Sequence, residues 1–169
     1  MTEPPKRVPD PGFAGDTGEA DPVVLSALAA FESGQAGAAV VDGVLAGSRV
    51  LVPLLAVLTD PDPGEPAPAA PAGGAGAGGA AGLRSDKTAD MAIVTVTGRD
   101  GRRGLPVFTS VAALQAWNAA ARPVPVEAAR AARAALDDGA AALLVDPSPR
   151  PRFVVTGERL ALLAAGWPA

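Results

Sequence analysis

The sequence predicts an α+β domain: a mixed β-sheet of about five to six strands, packed by helices and interrupted by one long insert. Short runs of Val, Leu and Ile are bounded by Gly, Pro and Asp, as strands are. Other runs place apolar residues three and four apart and close on Gly, as helices do. One such run, Glu127–Asp138, lies between two strand-like segments, which implies a β-α-β crossover among hairpins.

Asp21-Pro22 opens the first element, an N-cap followed by Pro at the first helical position. Val24, Leu28 and Phe31 follow at helical spacing, and Gly34 ends the run. A second helix is expected over 36–46, with Val40, Val41, Val44 and Leu45 on one face; Gly37 and Gly43 weaken it. Arg49–Leu58 reads as a strand buried on both faces, in which Pro53 implies an edge position or a bulge. Asp90–Thr97 is a strand, Gly98–Gly101 a turn and Arg103–Phe108 the returning strand. Thr109 or Ser110 caps a helix carrying Val111, Leu114 and Trp117. Pro123–Val126 is extended, Glu127–Asp138 helical and ended by Gly139, and Ala140–Val145 a strand. After the turn at Asp146–Pro149, Arg152–Thr156 is a strand and Glu158–Ala165 the last helix.

Two stretches stand apart. Residues 1–20 are polar and rich in Pro and Gly and read as a disordered tail. About 60–85, Pro/Ala-rich and then Gly/Ala-rich, reads as a flexible insert in one domain spanning 21–166, with 167–169 a short tail. The piece before the insert is too small to hold a core alone, so both parts are expected to pack together. A sixfold longer loop costs about 1.6 kcal/mol of closure entropy, which a core of roughly 120 residues can absorb.

Composition excludes much chemistry. The 169 residues include no Cys, His or Tyr, so thiol nucleophiles, zinc fingers, disulfides and histidine-based triads are absent. The net charge is −4, with 14 Lys+Arg against 18 Asp+Glu, and no basic stripe interleaves with aromatics; nucleic-acid binding is not expected. No apolar run approaches the ~20 residues of a membrane span, and the first residues lack a signal-peptide core. A cytoplasmic location and no cofactor are expected.

The glycine run 73–82 lacks the preceding strand and the Gly-Lys-Ser/Thr of a phosphate loop and reads as linker. Asp137 and Asp138 sit at a helix end, where negative charge is disfavoured, and Asp60 and Asp62 lie in the Pro-rich stretch. Asp90 and Asp146 read either as turn residues or as carboxylates lining a cleft. Arg99, Arg102 and Arg103 read as a solvated turn or as a clamp for an anion. Glu127 and Arg130 are spaced for an ion pair on one helix face. Thr109 and Ser110 have no histidine base and read as caps; Trp117 reads as core or as the wall of a groove, and Trp167 as a residue folding back on the last helix.

In order, the DMAIVTV strand, LPVFTS, ARPVPVEA, ALLVDP and FVVTGE resemble the N-terminal domain of the SseB family, the enhanced serine sensitivity proteins, in its actinobacterial form. The resemblance implies a small cytoplasmic α+β domain of undefined molecular role, with no catalytic residues to carry over. The chain ends soon after its last helix, so the second domain of longer members is not expected.

The resulting expectation is a non-enzymatic binding or regulatory module. A face of Arg102, Arg103, Phe108, Thr109, Ser110, Trp117 and Arg122 would contact a protein partner or a small anionic ligand. The alternative is a small enzyme of amino-acid (serine) metabolism that uses Asp90 and Asp146, with Mg²⁺ as an optional aid. A domain acting only by homo-oligomerisation is a third reading.

Overall fold

The computed structural model describes residues 13, 15–58 and 89–166. In chain order the elements are α1 (Pro22–Glu32), α2 (Ala38–Ala46), β1 (Arg49–Leu58), β2 (Ala89–Ile93), β3 (Val96–Thr97) and β4 (Arg103–Val107). They continue with α3 (Val111–Trp117), β5 (Arg122–Glu127), α4 (Ala128–Asp137), β6 (Ala142–Val145), β7 (Phe153–Thr156) and α5 (Gly157–Ala164). Helices and strands share one fold, as the α+β prediction requires. The expected insert at about 60–85, the tail residues 1–12 and 167–169, and with them Trp167, lie outside the described residues.

Local signals fix several elements as read. The Asp21 carboxylate accepts from the Val23 N–H at 2.8 Å, Pro22 starts α1, and Gly34 ends it at φ +75°. Helix α2 starts two residues later than expected because Gly37 is extended and serves as its N-cap. The hairpin between β3 and β4 turns through Gly98–Arg102, with Gly101 at φ +77°.

The strands differ from the expected single sheet of five to six. Among the described residues seven strands form two sheets, ordered β2-β1-β5 and β3-β4-β6-β7. Leu51 and Phe108 join them by a reciprocal pair of backbone hydrogen bonds, 2.8 and 2.9 Å. The expected strand 90–97 splits at Val94–Thr95, and the cause lies in β1. Pairing of β2 with β1 ends at Ile93 opposite Leu54. The next β1 residue, Pro53, has no N–H to offer, and beyond it Leu51 is already bonded to Phe108. The chain therefore leaves the first sheet and enters the second as β3.

Pro53 is thus in a central strand, not at an edge or bulge. Backbone groups point alternately to either side of a strand. Leu51 points to Phe108, so Pro53 points the same way, and its carbonyl accepts from the Val94 N–H at 3.4 Å. The reciprocal bond back to Val94 is the one Pro53 cannot donate, and the pairing of β2 with β1 stops there. The crossover also differs: β5 runs antiparallel to β1 in the first sheet. The parallel pair is β4 with β6, and α3, β5 and α4 together make its connection.

Helix α4 touches both sheets and both neighbouring helices, α2 and α5. Its Ala128, Ala131, Ala132 and Ala135 are buried with Leu28, Leu45, Val50, Val52, Leu105, Leu143, Val155 and Leu160 in the main core. The opposite face of β1 carries Leu51, which packs with Phe108, Leu114 and Ala121 beneath α3. Val50–Pro53 are therefore buried on both faces, but Leu54 and Leu55 are half-buried and Ala56 exposed, so the expected burial does not extend along the whole strand.

Part of the expected tail belongs to the fold. The Asp16 carboxylate accepts from Arg49 at 2.7 Å, the Glu19 carbonyl accepts from the same guanidinium, and the Gly18 carbonyl accepts from the Val111 N–H at 2.8 Å. Polar composition marked this segment as unable to bury surface, but Arg49 anchors it through charge and hydrogen bonds.

Candidate functional site: an aliphatic groove beside α4

Four of the expected contact residues come together around the start of α3. Phe108 is completely buried, with its ring centroid 5.4 Å from that of the half-buried Trp117. The Thr109 N–H and hydroxyl both donate to the Asp146 carboxylate at 2.8 Å, and its carbonyl accepts from Arg49 at 2.9 Å. Ser110 Oγ accepts from the Ala113 N–H at 3.1 Å and caps α3. These groups pack and cap.

The arginines are elsewhere. Arg103 stands at the other end of β4 from Phe108, roughly 16 Å away at ~3.3 Å per residue. It donates to the Asp138 carboxylate at 2.7 Å, to the Asp138 carbonyl at 3.0 Å and to Thr95 Oγ1 at 3.0 Å. A cation at the C-terminal end of α4 is favoured by the helix dipole, so this contact fastens the hairpin to the helix. Arg102 is exposed and pairs, among the described residues, with Asp100 alone, at 3.6 Å, a surface pair that adds little. Arg122 is exposed at the start of β5, opposite Leu54. The seven residues do not form one face.

The carboxylates have partners that the sequence hid. Asp42 is 0% exposed and receives two hydrogen bonds from Arg159, at 2.5 and 2.7 Å. The Arg159 guanidinium also lies 4.9 Å from the Phe153 ring centroid. Glu32 accepts two hydrogen bonds from Arg152, at 2.8 and 3.1 Å. That contact holds the Glu32 carboxyl below its ordinary value and raises Arg152. Asp42 occupies the Val41/Leu45 stripe of α2, a visible sign of a buried acid, but its partner lies 117 residues along the chain. Asp146 is buried at φ +46°, and both its oxygens are engaged by Thr109. Asp90 lies in β2, in the other sheet. Among the described residues no three Asp or Glu gather as a metal site would require.

Of several hollows in the surface, the one beside α4 is apolar. Val52 and Leu54 of β1, Val124 and Val126 of β5, Ile93, Leu105, and Arg130, Ala131 and Ala134 of α4 line a groove of about 250 Å³. Sharing Ile93, Leu105 and Ala134, it continues into a hollow of about 330 Å³ that reaches Thr95 and Asp138. The cause is compositional: branched strand side chains face a helix whose alanines are too short to fill the space between. Ile93, 51% exposed, forms part of the rim. Charge enters at two places. Asp138 is held by Arg103, whereas Arg130 makes no hydrogen bond or ion pair among the described residues. The expected pair with Glu127 is not formed, because Glu127 is the last residue of β5 and precedes the helix.

The family model for the SseB protein N-terminal domain matches residues 24–162. No curated protein and no solved structure matches the chain. Among the described residues no helix is long and apolar enough to cross a membrane.

Proposed function

Since the chain belongs to the SseB N-terminal domain family, we propose that it is a binding or regulatory module rather than an enzyme, and that the groove beside α4 receives its ligand. The observation that carries this reading is the groove itself: an aliphatic hollow whose one unpartnered charge among the described residues is Arg130. Ligand sites are commonly apolar hollows with a few placed polar groups. The charged residues elsewhere support it, because Asp42, Asp146, Glu32 and Asp138 are engaged in holding elements together. The carboxylate-enzyme alternative needs Asp90 and Asp146 in one pocket and finds no support in strands from different sheets. We read the domain as cytoplasmic and of the actinobacterial type.

The test compares native mass spectra of the wild type and Ala134→Leu, both purified gently from the host cytosol. The expected result is a retained mass that the wild type carries and the filled variant lacks. A mass retained equally by both removes the groove from the reading, and bare chains in both overturn a tightly held ligand.

A further inference from the structure

Resting on that reading, we propose that the groove beside α4 is a site for a small aliphatic carboxylate, with the chain along Val52, Leu54, Leu105 and Val124 and the acid on Arg130. The wall chemistry sets the first half of the ligand. Apart from Arg130, every residue around the 250 Å³ hollow is Val, Leu, Ile or Ala, with no aromatic ring to stack and no side-chain hydrogen-bond donor. A polar ligand would lose its hydrogen bonds to water there without replacement, whereas an alkyl chain has none to lose. The volume is at or below the low end of ligand pockets, ~300–1,000 Å³, which suits a short chain rather than a long lipid.

The charge sets the second half. Arg130 is in the first turn of α4, where the helix dipole disfavours a cation, and that turn holds no acidic residue to offset it. Among the described residues the one acid lining the adjoining hollow, Asp138, is bound by Arg103, and Glu127 forms no ion pair with Arg130. A guanidinium binds a carboxylate through two parallel hydrogen bonds, and here it belongs to the one charged residue lining an otherwise apolar trough. An aliphatic amine would face the same charge and be repelled. An alcohol would gain the walls and forgo the ion pair.

Calorimetric titration of the full chain with butanoate, hexanoate, octanoate, octanol and octylamine tests the assignment. Affinity is expected to rise about fourfold per methylene along the acids until the groove is filled. Octanoate should bind roughly tenfold tighter than octanol, and Arg130→Gln, an exposed change, should erase that difference. Ala134→Leu should weaken acid and alcohol alike. Equal binding of octanoate and octanol with a silent Arg130→Gln overturns the carboxylate. Absence of any binding overturns the ligand class. If the host-derived mass still depends on Ala134 in that case, the groove reading survives without this ligand; if it does not, both fall.

Discussion

Asp42 lies between Val41 and Gly43 in α2 with its carboxylate out of water, and Arg159 of α5 supplies both of its side-chain partners. A buried ion pair is weak evidence of net stabilisation, because desolvation offsets the attraction, yet removing one partner strands the other. Arg159 is also the cation above Phe153, whose ring meets Phe31 edge-on at 4.9 Å, so one side chain ties α2, β7 and α1 to α5. Arg159→Leu is therefore expected to cost about 3 kcal/mol, and Asp42→Leu combined with Arg159→Leu should recover most of it. Urea denaturation of the two variants checks this. A loss below ~1 kcal/mol for the single variant would show that water reaches Asp42.

Helix α4 has two apolar faces with different neighbours. Ala132 is fully buried in the main core, and Ala134 faces the groove. Adding a leucine side chain at 132 forces packed neighbours apart, with an expected cost of about 1–3 kcal/mol. The same change at 134 enters empty space on a good helix-forming residue and should stay within ~0.5 kcal/mol of the wild type. Thermal melts that rank the two variants the other way would place the groove elsewhere. The alanine run of α4 was legible in the sequence, but the groove was not, since its volume depends on which strands face the helix. Caps and turns were legible wherever a neighbour in sequence decides them: Asp21 at α1, Ser110 at α3, Gly101 in the hairpin. The break at Val94–Thr95 and the central position of Pro53 were not, because the partners of β1 decide both. The arginine face failed for the same reason. Arg103 is claimed by Asp138, 35 residues on, and Phe108 by the core beneath α3.

The two sheets behave as one body because α4 packs on both and Leu51–Phe108 links them. In this architecture β1 and β2 are a hairpin in register through Leu58 opposite Ala89, so the pair that flanks residues 59–88 is already formed by the fold. Closing a chain segment costs entropy that grows only with the logarithm of its length. Replacing 59–88 with a two-residue Asn-Gly turn, about fifteenfold shorter, removes part of that cost and is expected to raise stability by ~2 kcal/mol. The gain should appear as a higher urea midpoint at unchanged slope, since the surface exposed on unfolding of the remaining fold does not change. A lower midpoint would mean that residues 59–88 contribute contacts that outweigh the entropy of closure. If the shortened chain also bound octanoate as the full chain does, the groove would be complete in the residues 15–58 and 89–166.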